Sequence, residues 1–314
     1  MVPLLVTGAG GQLGRAVAAL VPDALLLTRA DLDVTDAEAV ARAVERARPA
    51  VVLHAAAWTA VDAAEARPEA ARAVNVLGTE AVVRAAARAG AVVVYPSTDY
   101  VFSGQLRRPY REDDPPSPLS VYGRTKLEGE EAVRAWEHHL VVRTSWVFGE
   151  GRNFVRAVLE RAARGEDLEV VDDQVGRPTH AGDLASGILA LLRAGARGTF
   201  HLAGGGEPCT WADLAEAVLE TAVRAGLLRS APAVRRVSTR EYDAARPGPV
   251  ARRPPYSVLD CSKAAGLGVA LRPWREAVEA YVRALADRGA GPGGGGGRCA
   301  GSCWPGGWGP GLTR

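Results

Sequence analysis

Lysine is nearly missing from this 314-residue chain: Lys126 and Lys263 are the only two, although lysine and arginine together number 38. Arginine is the default cation here, so a lysine four residues after Tyr122 departs from the chain's habit. Asparagine is as rare, at Asn75 and Asn153 alone. The four cysteines, Cys209, Cys261, Cys299 and Cys303, are too sparse and too late for a disulfide framework. An excess of either charge is also lacking. With 38 basic and 36 acidic residues the net charge is +2, which advertises no surface for nucleic acid or an anionic membrane. No apolar run approaches the length of a spanning helix. The opening "MVPLLVTGAGG" has no charged leader and enters a glycine loop too early for a signal peptide. These absences lead us to expect a soluble, cytoplasmic protein.

What is present is apolar material, 47% of residues, enough for a real core. In the first half it alternates regularly. The short runs "VPLLVTG", "ALLLT", "AVVLHAAA", "AVVVYPST" and "LVVRTSWV" are separated by helical patterns such as "DAEAVARAVERA" and "EAARAVNVLGTEAVVRAAARAG". Apolar runs of this length between helices indicate buried parallel strands, hence an α/β doubly wound sheet of Rossmann type. After residue 148 the rhythm becomes irregular, although "GTFHLAG" near 198–204 reads as a strand returning to the sheet. The expected organisation is a dinucleotide-binding domain over 1–148 and a smaller, partly interleaved C-terminal substrate-binding lobe over 149–288. Residues 289–314 form a glycine-rich tail without periodicity, expected to be disordered because it cannot bury enough to offset its chain entropy. The tail's two thiols, with no histidine nearby, make a poor metal site.

"TGAGGQLG" places Gly8, Gly11 and Gly14 between the first strand and the first helix. Glycines there permit a tight turn and close approach of the backbone to a pyrophosphate, while the helix N-terminus supplies amides and positive dipole. The bland alternative is a glycine-rich turn that binds nothing; the strand–loop–helix context favours a dinucleotide. Which dinucleotide is open. An acid about 20 residues after the loop accepts the ribose hydroxyls of NAD. Here the second strand ends in Thr28 and Arg29, and Arg29 would pair with the 2′-phosphate of NADPH. Asp31 and Asp33 stand close by, and Asp33 with Val34 would edge the adenine.

Tyr122 and Lys126 are spaced i, i+4 and share a helix face. A free phenol titrates at about 10, too high for efficient proton transfer near neutrality, and a nearby ammonium lowers that value. Such a pair is common by chance. It gains weight from "YPSTDYVFSG", where Ser97 and Thr98 end a strand at the carboxyl edge of the sheet, the place where open α/β folds bind ligands. Other residues read as structural. His54 ends a strand and is expected to be packed; His138, His139, His180 and His201 show no ligand spacing; Trp211 and Trp274 open helices and anchor the lobe.

With "LLVTGAGGQLG", "AAAWTAVDAAE", "STDYVFSG", "VYGRTKLEGE", "RTSWVFG", "VVDDQVGRPT" and "RRPPYSVLDCSK", the chain resembles the extended short-chain dehydrogenases/reductases over residues 3–286. Within that superfamily it is most similar to the dTDP-4-dehydrorhamnose reductase family. The resemblance implies a catalytic triad of Thr98, Tyr122 and Lys126, with Tyr122 the proton donor. It implies that Gly8, Gly11, Gln12, Leu13 and Gly14 hold the pyrophosphate and that Ala55, Ala56 and Ala57 line the cofactor, with Asn75 beneath. Thr98, Asp99, Tyr100, Trp146, Asn153 and Arg253 would touch the deoxysugar nucleotide. NADPH or NADH would reduce C4 of dTDP-4-dehydro-6-deoxy-L-mannose to give dTDP-L-rhamnose. The resemblance also implies a homodimer and leaves Mg²⁺ open, since no carboxylate cluster in the sequence places one. An epimerase or dehydratase of the same superfamily, or a regulatory subunit binding NADP without turnover, are the competing readings.

Overall fold

The computed structural model describes residues 4–246 and 248–289. Cys299, Cys303 and the tail from residue 290 lie outside the described residues.

The first half comprises β1 (Leu4–Thr7), α1 (Gln12–Leu20), β2 (Leu25–Leu27), α2 (Ala37–Ala47), β3 (Val51–His54), α3 (Val61–Ala66) and α4 (Pro68–Arg72). A π-helical turn (Ala73–Gly78) leads into α5 (Thr79–Arg88). Then come β4 (Val92–Thr98), a 3-10 turn (Asp99–Val101), α6 (Val121–Arg134) and β5 (His139–Thr144). The second half opens with β6 (Val147–Phe148), α7 (Phe154–Ala163), β7 (Leu168–Val171), β8 (Val175–Gly176) and β9 (Thr179–His180). It continues through α8 (Ala181–Arg193), β10 (Gly198–His201), β11 (Cys209–Thr210) and α9 (Trp211–Arg224). It closes with β12 (Val234–Val237), α10 (Thr239–Ala244), α11 (Ser262–Ala265) and α12 (Trp274–Asp287).

Six strands form the main sheet in the order β2-β1-β3-β4-β5-β10, every neighbouring pair parallel. Alternation of side chains explains why both faces are covered. Leu4 and Val6 pack with Val17 of α1 and with Leu184 and Ile188 of α8. Leu5, one residue out of phase, packs with Val40 and Val44 of α2, Val82 of α5 and Val133 of α6. Burying each such side chain contributes roughly 1.5–3 kcal/mol, so a one-residue slip in register would be strongly resisted. The chain steps from β1 out to β2 and then back across to β3. This reversal opens a crevice beyond the carboxyl ends of β1 and β3.

A second core lies outside the sheet. Val155 and Val158 of α7, Leu214 and Val218 of α9, and Val278 and Val282 of α12 close around Phe148, Leu168 and Val170. Trp211 and Trp274, the first residues of α9 and α12, are both buried there. A strap over residues 251–260 ties this lobe back to the sheet domain. Val175 of β8 donates to Pro255 O and Ser257 N donates to Val175 O, both at 2.8 Å, while Tyr110 N donates to Val258 O.

Candidate active site

β1 ends at Thr7, and Gly8 turns the chain with φ of 68°, a conformation that strains any residue with a side chain. A Cβ there would also lie 2.5 Å from the Ala56 nitrogen, so the end of β3 presses directly on the loop. Gly11 is the N-cap of α1 and offers no side-chain acceptor to the first amides of that helix. By contrast, Ser120, Asn153 and Thr210 cap α6, α7 and α9 with their side chains. The amides that open α1 thus face the crevice without a side-chain cap, where a pyrophosphate fits. The Gln12 amide oxygen and the Thr144 hydroxyl line the same space, buried and without a hydrogen-bond partner among the described residues. These features fit a dinucleotide.

The crevice is a cavity of about 860 Å³ that runs from the glycine loop to the second lobe. Gly8, Gly11, Gln12, Leu13 and Gly14 line it, as do Ala55, Ala56 and Ala57. Arg29, Asp33 and Val34 line the end below β2. There Asp31 accepts hydrogen bonds from the hydroxyl and amide of Thr28, which hold its carboxyl below the usual range. Asp33 is held low by the amide and hydroxyl of Thr35, and to a lesser degree by the charge of Arg29.

Tyr122 reaches the cavity because α6 starts against the 3-10 turn. Ser120 Oγ caps the Gly123 amide at 3.1 Å, and Glu65 Oε1 accepts from Val121 N at 2.8 Å. A Cβ on Gly123 would collide with the Tyr100 carbonyl, so only glycine allows this approach. The phenol lies near enough to the Thr98 hydroxyl to be influenced by it, and its ring meets Tyr100 edge-on with centroids 5.9 Å apart. Thr98 Oγ1 donates to Asp99 Oδ1 at 3.0 Å and accepts from Tyr100 N at 3.1 Å. Asp99 is buried, and that burial pushes its carboxyl up to about 7, opposed by the hydroxyls of Ser257 and Thr98.

The lowering of Tyr122 expected from Lys126 is outweighed by burial. Burial pushes the phenol up to about 12, with the Asp99 carboxylate adding to the rise and Thr98 opposing it. The ammonium is directed elsewhere: Lys126 Nζ donates to Pro96 O at 2.8 Å and lies 3.8 Å from the centroid of the Tyr95 ring. Burial brings the lysine down to about 7, against the pull of Glu130. Beyond Val94, β4 pairs with β5 alone, so a proline is tolerated at 96 and its carbonyl is open to the lysine.

Three further candidate residues have structural partners. Asn75 does not line the cavity; its amide accepts from Trp58 N at 2.8 Å and donates to Trp58 O and Thr125 Oγ1, fixing the chain after β3 to α6. Arg253 is likewise absent from the lining, because both oxygens of Asp62 hold its guanidinium at 2.9 Å. Asn153 does line the cavity, but its amide caps α7 and donates to the carbonyls of Gly149 and Gly151. Trp146 adopts a positive φ of 48° and stacks on Trp211 with centroids 3.7 Å apart, so the two make one aromatic wall. His54 is packed, between the hydroxyls of Thr7 and Thr79. Among the described residues no group of three or more His, Cys, Asp or Glu side chains is placed to hold a metal, so Mg²⁺ finds no ligand set there.

Sequence reasoning missed Trp211 as a wall of the cavity, and Asp62, Glu65 and Ser257 as its supports. Asp62 and Glu65 lie in the segment "AAAWTAVDAAE" and Ser257 in "RRPPYSVLDCSK", but neither segment names their partners.

A parallel sheet with an uncapped glycine loop at its switch point, and a Tyr-x-x-x-Lys helix against a Ser-Thr strand end, defines an extended short-chain dehydrogenase/reductase. The profile of the RmlD substrate binding domain family matches residues 2–286. A dTDP-4-dehydrorhamnose reductase of Streptomyces griseus is 44% identical, over 92% of this chain and 95% of that protein. A probable dTDP-4,6-dihydroxy-2-methyloxan-3-one 4-ketoreductase of Streptomyces antibioticus is 43% identical, over 90% of this chain and 95% of its own length. Among solved structures, dTDP-4-dehydrorhamnose reductase from Bacillus anthracis in complex with NADP superposes with a TM-score of 0.82 at 32% identity, covering 89% of this chain and 98% of that one. The chain belongs to the dTDP-4-dehydrorhamnose reductase family.

Proposed function

We propose that this protein reduces the 4-keto group of dTDP-4-dehydro-6-deoxy-L-mannose to give dTDP-L-rhamnose, with NADPH preferred to NADH. The observation that carries the reading is the Tyr122 phenol beside the hydrogen-bonded Thr98 and Asp99, set in one cavity with the uncapped start of α1. Reduced nicotinamide, when bound, supplies hydride to the keto carbon. The amides opening α1 hold the pyrophosphate, Arg29 meets the 2′-phosphate and Val34 edges the adenine. Lys126 exchanges the Pro96 carbonyl for the nicotinamide ribose.

Tyr122 gives up its proton as the keto oxygen becomes an alkoxide. A phenol held at about 12 keeps its proton across neutral pH. It still transfers it downhill to an alkoxide, which is nearly as basic as hydroxide, whose conjugate acid titrates at about 15.7. Thr98 fixes the phenol's orientation, and the Trp146–Trp211 wall shapes the sugar end. The lining carboxylates favour reduction over dehydration: Asp99 alone adjoins Tyr122, since Glu150 faces Arg15 at 3.9 Å and Asp33 is tied to Thr35. The reading includes a cytoplasmic homodimer, with sedimentation as the check on its assembly.

The Streptomyces antibioticus relative raises a second reading, reduction of a different 4-keto dTDP sugar at the same site. The purified protein, mixed with NADPH and each ketosugar in turn, separates them by loss of absorbance at the reduced-nicotinamide band. Turnover of dTDP-4-dehydro-6-deoxy-L-mannose at least tenfold faster than its isomers supports the first; the reverse ranking supports the second.

A further inference from the structure

The strap over residues 251–260 enters the catalytic chain at one point. Ser257 is buried, and its hydroxyl donates to Asp99 Oδ2 at 2.5 Å, on the carboxylate oxygen opposite the one that Thr98 engages. Its backbone is clamped as well, since Ser257 N donates to Val175 O. Thr98 reaches Asp99 from β4, Tyr100 lies on its own turn, Tyr122 faces it from α6 and Ser257 comes from the strap. Arg253 of the same strap acts on Tyr100 and is paired with Asp62.

We propose that Ser257 is a positioning residue of the reduction: its hydroxyl holds Asp99 as a hydrogen-bond acceptor and so keeps the Thr98 hydroxyl, which lines the cavity beside Tyr122, directed onto Asp99. Thr98 has a single hydroxyl proton. While Asp99 is a carboxylate, that proton is donated to Asp99 Oδ1 and the Thr98 hydroxyl is held in one orientation. Tyr122 then keeps its own proton for the keto oxygen. Without the Ser257 hydroxyl, Oδ2 loses a donor that favours the charged form, and the carboxyl takes up a proton more readily. A protonated Asp99 donates to Thr98 instead, which releases the Thr98 proton from Asp99 and turns the hydroxyl beside Tyr122.

This rests on the reductase reading for its kinetic arm only. In Ser257→Ala, ¹³C NMR of the Asp99 carboxyl, assigned with Asp99→Asn, should show the titration midpoint displaced upward by about one unit. The same variant should lose about tenfold in kcat at neutral pH, with the dissociation constant for NADPH unchanged and the low-pH limb of kcat displaced upward with the carboxyl. Ser257→Thr, which retains the hydroxyl, should keep the wild-type midpoint. In a Thr98→Ala background, Ser257→Ala should reduce kcat no further. An Asp99 midpoint that stays in place in Ser257→Ala, or losses that multiply with those of Thr98→Ala, would overturn the proposal. Wild-type protein that reduces no ketosugar defeats the reductase reading instead, and the carboxyl titration still decides what Ser257 does to Asp99.

Discussion

Lys126 donates to the carbonyl of Pro96 at 2.8 Å, an attachment that the helical spacing of Lys126 from Tyr122 gave no reason to expect. The amine is buried, sits over the Tyr95 ring and titrates at about 7. Its charge is therefore within reach of ordinary pH, and its hydrogen bond to a neutral carbonyl is readily exchanged for one to a ribose hydroxyl.

Lys126→Met should weaken cofactor binding severalfold as well as turnover. With NADH, which has no 2′-phosphate to titrate, wild-type affinity should fall as pH rises through about 7 and the ammonium is lost. That pH dependence should vanish in the variant. Calorimetric dissociation constants between pH 6 and 8.5 provide the check, and a flat wild-type profile would exclude an ionic role for the amine.

Tyr122→Phe should retain the ring contact with Tyr100 and the cavity shape while removing the proton donor. Turnover should drop by at least about a hundredfold, the lower range for loss of a general acid, with NADPH affinity within twofold of wild type. Single-turnover rates of NADPH oxidation measure this directly.

The Arg253–Asp62 pair joins residues 191 apart in sequence, and both side chains are buried. Arg253→Met leaves Asp62 with Arg246 as its remaining guanidinium partner and should cost roughly 3–5 kcal/mol of folding stability. Replacing both, with Asp62→Leu, should recover part of the loss. Urea midpoints of the two single variants and the double variant make the comparison, and additive losses would mean that the pair is not coupled.

Burial holds His54 and His201 down to about 3, against an unfolded value of about 6.5. Between those values the unfolded chain binds protons that the folded one does not, so stability is full above about 6.5 and falls as pH falls toward 3. Each imidazole contributes a loss of about 2 kcal/mol by pH 5. Asp99 works against them: held at about 7, it binds a proton in the folded state first and adds stability as pH drops from 7 toward its unfolded range. The net expectation is a declining unfolding free energy between pH 6.5 and 5, steeper in Asp99→Asn. Urea titrations at four pH values test both slopes.

Arg29→Ala should abolish a preference for NADPH of on the order of tenfold in kcat/KM, the contribution of one charge-assisted contact. NADH kinetics should barely change. Equal loss with both cofactors would make Arg29 a structural residue.

Much of this molecule was readable from local pattern. The apolar runs at β1, β3, β4 and β5 identify buried parallel strands because each run is short, β-branched and bounded by helices. The order of glycine loop, Ser-Thr strand end and Tyr-x-x-x-Lys is also a chain property, and the fold brings the three into one cavity because successive parallel strands end on the same edge. Contacts between distant segments were not readable. Asp62 and Arg253, or Asp99 and Ser257, carry no periodicity that links them across 191 and 158 residues. The sign of the Tyr122 shift was misjudged for the same reason: spacing places a lysine near a phenol, but only the packed structure decides how deeply both are buried and where the ammonium points. Desolvation, which scales with the whole surrounding volume of protein rather than with any neighbour in sequence, is what the tertiary structure adds.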